Sequence, residues 1–320
     1  MKLPISLIID DGCPVNPVYF LHPEVETKFI IPNKMARDFA KICKQYGVKG
    51  KYSVMPMPSC LGSIDKKLNY VPKSHLKGFI KIVKKQIMPD FDITPEILTH
   101  QTVYNIKRKR YMHMFEDVFM DTAGVDEMTD YISLAFKILK KVGLKANGVT
   151  SPWFAGIKNE KRYAEAIGNA EYRMNKRKFA WYFLHCIPRE KGKWPWVKFR
   201  NKKRKSIVVA VPANTTDPFG GTWAPTPDIK AKKNMMKGID GLLSKNGKKG
   251  RIRELYDQKI PIVMITHWQS LFSDGRYYGL KGFKILMERV KRIFGGKVEW
   301  MKCSELAKLA LKKNSNADDR

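Results

Sequence analysis

Four places in the chain put chemically competent residues directly behind an apolar run. Ile5–Ile9 leads into Asp10, Asp11 and Gly12, and Ile93–Thr99 leads into His100. Gly148–Thr150 leads into Ser151 and Pro152, and Ile262–Thr266 into His267, Trp268 and Gln269. Adjacent carboxylates at the end of an apolar strand repel each other, and burial disfavours their ionisation. A bound cation or a shared proton would relieve that cost. Asp10 and Asp11 therefore point to metal binding or proton transfer. His100 and His267 are suited to either role, because imidazole titrates near neutrality. Each group also has a plainer reading: a strand-end turn for the acids, a hydrogen-bonded core histidine for His100, a packing role for Trp268. Recurrence at four strand ends favours the chemical reading. His22, His75, His113 and His185 are expected to be structural or exposed, although His22 follows closely on the acidic pair.

The elements that must position these residues alternate between strand-length apolar runs and amphipathic helices. Strands are expected at Ile5–Ile9, Lys51–Met55, Asp92–Thr99, Asn147–Thr150, Phe179–Ile187, Ser206–Val211, Pro261–Thr266 and Lys297–Met301. Helices are expected at Asn33–Tyr46, His75–Ile87, Glu127–Val142, Glu160–Met174, Gly250–Gln258, Leu280–Phe294 and Ser304–Lys313. Residues 101–125 and 213–247 read as long irregular insertions. The pattern predicts an α/β fold, an irregular (β/α) barrel of about seven parallel strands, in one domain (1–313) with long loops and a polar tail (314–320). A doubly wound open sheet is the alternative. No GxGxxG follows a strand and no Walker loop occurs, which argues against the nucleotide folds. In a barrel the C-terminal strand ends converge on one face, so residues far apart in sequence would share a pocket.

Composition narrows the class. The chain has 320 residues, 43% of them hydrophobic, which excludes a disordered protein. Lys and Arg number 61 against 30 acidic residues, for a formal net charge of +31. The excess is concentrated after residue 150, where 38 basic residues face 15 acidic ones. Segments 158–205 and 230–253 are the most basic. Nucleic acid is not the expected partner, because lysine outnumbers arginine and no nucleic-acid module is visible. Surface bias or an anionic polysaccharide accounts for the charge better. No apolar run is long enough for a membrane span. The N-terminal apolar run stops at Asp10, unlike a signal peptide, and reads as a first strand. The five cysteines lack CxxC spacing, so the expectation is a reducing, cytoplasmic compartment.

The run Ile8-Ile9-Asp10-Asp11-Gly12 resembles the first motif of the polysaccharide deacetylases, the NodB-homology group of carbohydrate esterases. Thr99-His100 resembles their second motif, Thr150-Ser151-Pro152-Trp153-Phe154 falls where the third belongs, and Ile265-Thr266-His267 resembles the fifth. Asp217 with Trp223 stands where a fourth would be. The resemblance implies a (β/α) barrel, with Asp10 as general base, Asp11 and His100 as ligands of a zinc-like divalent metal, and His267 as general acid. Two features depart from the family pattern. Tyr104 stands where a second metal-binding histidine is usual, and Thr150 and Ser151 occupy the place of an arginine that orients the base. A third ligand would have to come from His22, Glu96 or Asn105.

The expected function is thus a carbohydrate-active hydrolase, most simply a metal-assisted deacetylase. Ser151, Trp153, Trp268 and Gln269 would contact a carbohydrate substrate, and Trp223 offers a further ring for stacking. Two alternatives remain open: a glycoside hydrolase or lyase using carboxylates without metal, and a non-catalytic carbohydrate- or polyanion-binding protein.

Overall fold

The computed structural model describes residues 2–22 and 24–318. The N-terminal part contains β1 (Leu3–Asp10), a short α1 (Val18–Leu21), α2 (Asn33–Tyr46), β2 (Gly50–Val54) and a small hairpin, β3 (Gly62–Ser63) and β4 (Lys67–Leu68). Then come α3 (Lys73–Ile82), β5 (Phe91–Pro95), a second hairpin of β6 (Thr102–Asn105) and β7 (Arg110–Phe115), α4 (Glu116–Thr122) and α5 (Val125–Lys141). The middle of the chain supplies β8 (Val149–Thr150), α6 (Glu160–Asn175), β9 (Phe179–Phe183), β10 (Trp196–Asn201), β11 (Ser206–Ala210) and α7 (Asp228–Leu242). The chain continues through α8 (Arg251–Asp257), β12 (Ile262–His267), α9 (Trp268–Phe272), α10 (Tyr278–Phe294), β13 (Val298–Trp300) and α11 (Cys303–Asp318).

The strands are mostly parallel. One sheet runs β12-β1-β2-β5, with β13 paired to the first residues of β1. A second runs β10-β11-β9-β8, and only β10 is antiparallel in it. Bridges Ile93↔Ala146 and Glu96↔Thr150 join the β5 edge to the β8 side. At the other edge the Asn214 amide donates to the Val263 carbonyl, linking the chain after β11 to β12.

Side-chain direction alternates along each strand with period two. Ile5, Leu7 and Ile9 pack in the large core under the surrounding helices. Ile8 joins Trp181, Phe183, Val209, Val263 and Ile265 in a separate cluster with Cys303, Leu306 and Ala307 of α11. Asp10 shares the Ile8 face by the same alternation, as Ser6 does. On β2 and β5 the equivalent face carries Lys51, Ser53, Asp92 and Thr94, all buried. This face of the strands therefore carries a mixed polar and apolar set of buried side chains, with α11 packed against its apolar part. Asp92 fixes α11 there by accepting the Ser304 amide at 2.7 Å and its hydroxyl at 3.0 Å.

Several expected boundaries shift. The strand expected through Thr99 stops at Pro95, because proline has no amide to donate and Ile97 and His100 turn to positive φ. The helix expected at His75–Ile87 ends at Ile82, and Val83–Ile87 form one wider turn. The strand expected at Phe179–Ile187 ends at Phe183. Residues 101–125 are not irregular; they hold the β6–β7 hairpin and α4, and 213–247 hold α7. The last helix runs to Asp318 rather than stopping at Lys313, since no glycine or proline interrupts it.

Candidate functional site

β1 and β12 are in register with Asp10 opposite His267, so the first acid and the second histidine are neighbours across one strand pair. Beyond Asp10 the chain turns sharply, and Asp11 sits at φ 63°. Gly12 is required here: a Cβ would lie 2.1 Å from the Ser53 carbonyl oxygen and against the Tyr52 ring. His100 (φ 54°), Ile97 (φ 32°) and Trp153 (φ 48°) share this uncommon conformation. Such residues cost about 1–3 kcal/mol each and gather where a site imposes its geometry.

Asp11, Glu96 and His100 converge. Asp11 Oδ1 lies 3.0 Å and Glu96 Oε1 3.4 Å from His100 Nε2. One ligand atom from each of the three falls within 4.8 Å of the others. Ligand atoms on an ion with bonds of about 2.0–2.2 Å stand about 3.0–3.5 Å apart, so the two distances to His100 Nε2 suit a divalent cation. Asp11 Oδ1 is buried and accepts no well-directed hydrogen bond, as an acceptor awaiting a cation would be. The other Glu96 oxygen accepts the Asp11 amide at 2.7 Å and the Ser53 hydroxyl at 2.5 Å, which fixes the carboxylate. Glu116, from α4, holds the His100 turn by accepting the Thr99 and His100 amides, each at 2.8 Å. The buried Asp-Glu-His group could therefore hold a metal ion. Of the three candidates for a third ligand, the structure brings in Glu96 alone. His22 lies at the rim, stacked on Trp223, and Asn105 caps the β6–β7 turn by accepting the Arg108 amide. Tyr104 is in the hairpin and supplies no ligand.

Asp10 faces a lysine that sequence reasoning missed. Lys51 is fully buried; its Nζ donates to Asp10 Oδ1, and to Thr150 Oγ1 at 2.7 Å. A cation on Asp10 is thus supplied from β2, beside the Thr150 and Ser151 positions where the resemblance had placed an arginine. A signal existed: in Lys51-Tyr52-Ser53-Val54, alternation puts Lys51 on the inward face with Ser53.

His267 is oriented by Asp217. Asp217 Oδ2 accepts from the His267 ring nitrogen Nδ1 at 2.9 Å and from its backbone amide at 3.2 Å, while Oδ1 accepts the Thr266 hydroxyl at 2.9 Å. Burial pushes the His267 imidazolium down, but Asp217, Asp11 and Asp10 outweigh it and raise its pKa to about 10. The same opposition acts on His100, where Asp11 and then Glu96 lift it to about 10. Burial, followed by Asp11 and Asp10, pushes the Glu96 carboxyl up to about 8. Burial alone would raise the Asp11 carboxyl, but the His100 and His267 charges hold it well below the usual range.

These groups line one cleft of about 400 Å³, together with Ser151, Trp153, Phe154, Cys186, Trp223 and Gln269. Gln269 Nε2 donates to Asp11 Oδ2 at 2.6 Å, and the Ser151 hydroxyl shares a 2.8 Å hydrogen bond with Tyr163. The Trp153 ring meets His100 edge-on at 4.7 Å. Trp268 is a correction. It is fully buried, with its ring packed on Phe39 and Tyr52 and its indole N–H donated to the Cys13 carbonyl, so it has no face to offer a sugar. An apolar ring following a strand end was drawn into the neighbouring core.

No family model and no curated protein matches the chain. Among solved structures it is similar to a mutant of a CE4 family pseudoenzyme with restored enzymatic activity, at 12% identity and TM-score 0.44, over 96% of this chain and 68% of that one. A second mutant described as a CE4 family pseudoenzyme gives 12% identity and TM-score 0.44, with 96% and 67% covered. A 4-alpha-glucanotransferase from Thermococcus litoralis gives 11% identity and TM-score 0.45, with 96% of this chain and 40% of that one covered.

Proposed function

We propose that this protein is a carbohydrate-active hydrolase that removes an acyl group, most simply acetyl, with the help of a divalent metal. One observation carries the reading: Asp10, Asp11, Glu96, His100 and His267 come from three separate chain regions and line a single cleft. The parallel strands, the bridges joining the two sheets and the Asn214–Val263 hydrogen bond support an irregular barrel as the frame, formed by residues 1–313 as one domain.

Asp11, Glu96 and His100 would hold the cation, which when bound supplies Lewis acidity toward a carbonyl oxygen and acidifies a water. Asp10 takes the proton of the attacking water as general base. Lys51 holds the Asp10 carboxylate in place and balances its charge while it is unprotonated. His267 protonates the leaving amine or alkoxide. Its high pKa keeps it in the acid form at neutral pH, and Asp217 keeps the Nδ1 side occupied, leaving Nε2 to donate. Trp153 and Trp223 supply faces for sugar rings, and Ser151 and Gln269 supply polar contacts. A carbohydrate bearing negative charge suits the basic surface.

A metal-free glycosidase would need carboxylates facing one another across the groove. Here Asp10 and Asp11 are adjacent at one strand end, and Glu96 lies beside Asp11 on the side that His100 occupies. The test is acetate release from acetylated oligosaccharides, with and without a chelator. Asp10→Ala and His267→Ala are expected to lower turnover at least about a hundredfold, the range of one general acid or base. Full activity in both variants, or activity unaffected by metal removal, would sink the reading.

A further inference from the structure

Away from the cleft, the flank built by α3 and α5 carries three furrows that run into one another. They enclose about 470, 630 and 410 Å³. Lys84 and Lys85 line both the first and the second, and Asp65 and Lys66 both the second and the third. Among the described residues, twelve basic side chains line this track against one acidic one, Asp65, which Lys141 already engages at 3.0 Å. Its centre is a stripe. Lys73, Lys77, Lys81 and Lys85 recur every four residues along α3 and the wider turn after it. All four are exposed, and none is in an ion pair among the described residues. Like charges spaced this way repel one another and weaken a helix. An anion from outside the chain would offset that cost. The track begins at the N-terminal ends of the strands, where Met88, Lys145 and Arg177 stand just ahead of β5, β8 and β9. It ends at Tyr104 and Tyr111 of the β6–β7 hairpin, which follows closely on His100, and it shares no lining residue with the cleft.

Shape and charge select the partner. Linked furrows admit one extended polymer and cannot be filled by a flat bilayer. Eleven of the twelve basic residues are lysines, point charges on flexible stems, whereas phosphate and nucleic-acid recognition favours the bidentate fork of arginine. No exposed aromatic side chain lines the first two furrows, so bases find no ring there to stack on. A polysaccharide with repeated carboxylates meets these conditions: it is extended, charged along its length and free of bases. We propose that this track holds an acidic polysaccharide, so that the polymer presented to the cleft is gripped along a second surface. That the polymer is a carbohydrate rests on the hydrolase reading; that the track takes an extended polyanion rests on its own charge and shape.

The experiment is fluorescence anisotropy of labelled polygalacturonate titrated with the full chain at about 0.15 M ionic strength, where long-range attraction is largely screened. Saturable binding is expected, and it should weaken steeply with added salt, because a bound polyanion releases its counterions. Lys77→Glu with Lys81→Glu and Lys85→Glu should weaken it about tenfold or more. Lys230→Glu with Lys232→Glu and Lys233→Glu places the same change of charge on the exposed face of α7 and should weaken it less than about threefold. Thermal melts verify that each variant is folded. Absence of binding by the unaltered protein overturns the proposal. So does equal loss in the two variants, which would mean unspecific charge attraction. Tighter binding of a mixed-sequence single-stranded DNA, lost in the α3 variant, would also overturn it by assigning the track to nucleic acid. Asp10→Asn should bind the polymer normally, and the α3 variant should release acetate from a short acetylated oligosaccharide as the unaltered protein does. Failure of the hydrolase reading therefore shows as binding without turnover. Failure of this inference shows as turnover with no loss of binding in the α3 variant.

Discussion

At the residue scale the site is a set of charges that stabilise one another only as a group. The His100 proton and a cation compete for the same place between Asp11 and Glu96. With His100 lifted from 6.5 to about 10 and Glu96 from 4.5 to about 8, metal binding must expel protons over this range. Both folded-state pKa values are raised, so the protonated, metal-free site is favoured at low pH and loses that advantage as pH rises. The increase in Tm caused by a fixed zinc concentration should therefore be small below pH 6.5 and grow toward pH 10. A shift that is flat or declines with pH would contradict the ligand set. Lys51 gives a second test. Removing one member of a buried ion pair leaves the other uncompensated, so Lys51→Met should cost about 3–5 kcal/mol in chemical denaturation, and Lys51→Arg distinctly less. A melt unchanged by Lys51→Met would mean that Asp10 does not depend on it.

At the element scale, much of the frame was legible and some of the site was not. The β1 and β12 termini were readable because a continuous apolar run ends abruptly in charge, and the structure pairs Asp10 with His267. Glu96 stood out less, since Thr-Pro-Glu-Ile-Leu-Thr-His has neither strand alternation nor helical spacing. Its role depends on two positive-φ residues that only the folded chain displays. Lys51 was legible by alternation but was passed over, because lysine at a strand start ordinarily faces water. Trp268 misled for the opposite reason: position suggested the cleft, and packing claimed it. Trp268→Ala should therefore cost about 3–5 kcal/mol of stability as a core cavity. At temperatures where it stays folded it should leave KM for an oligosaccharide near that of the unaltered protein. Glu116 belongs to this scale too. It is buried and does not line the cleft, but two of its hydrogen bonds fix the turn on which His100 sits. Glu116→Ala should weaken zinc binding about 10–100-fold in equilibrium dialysis, as loss of supporting contacts does elsewhere. Unchanged affinity would show that the turn holds itself.

At the scale of the whole molecule, the parallel arrangement and the strand–helix alternation were legible from periodicity, because period two and period 3.6 are set by backbone geometry. How the two sheets meet was not: it rests on isolated bridges at Ile93 and Glu96 and, at the other edge, on hydrogen bonds from Asn214 to Val263 and Pro261 and from Ile265 to Thr215. The net charge of +31 was visible at once, but its meaning is local. The β6–β7 turn lies in the less basic part of the chain, residues 1–150, yet it carries Lys107, Arg108, Lys109 and Arg110 in succession. Composition by halves cannot reveal such a local cluster.

The pairing of β1 has a consequence in time. Its partners along the chain are β2 nearby and β12 and β13 more than 250 residues later. During synthesis β1 emerges long before β12 and β13, so it is among the last of these strands to be completed, and an apolar strand edge stays open until β12 has followed. A fragment ending at residue 260 contains Asp11, Glu96 and His100 but lacks the strand that covers this edge. It should neither bind zinc at the affinity of the full chain nor resist proteolysis and aggregation as the full chain does. The candidate cleft, on this view, is also the seam at which folding closes.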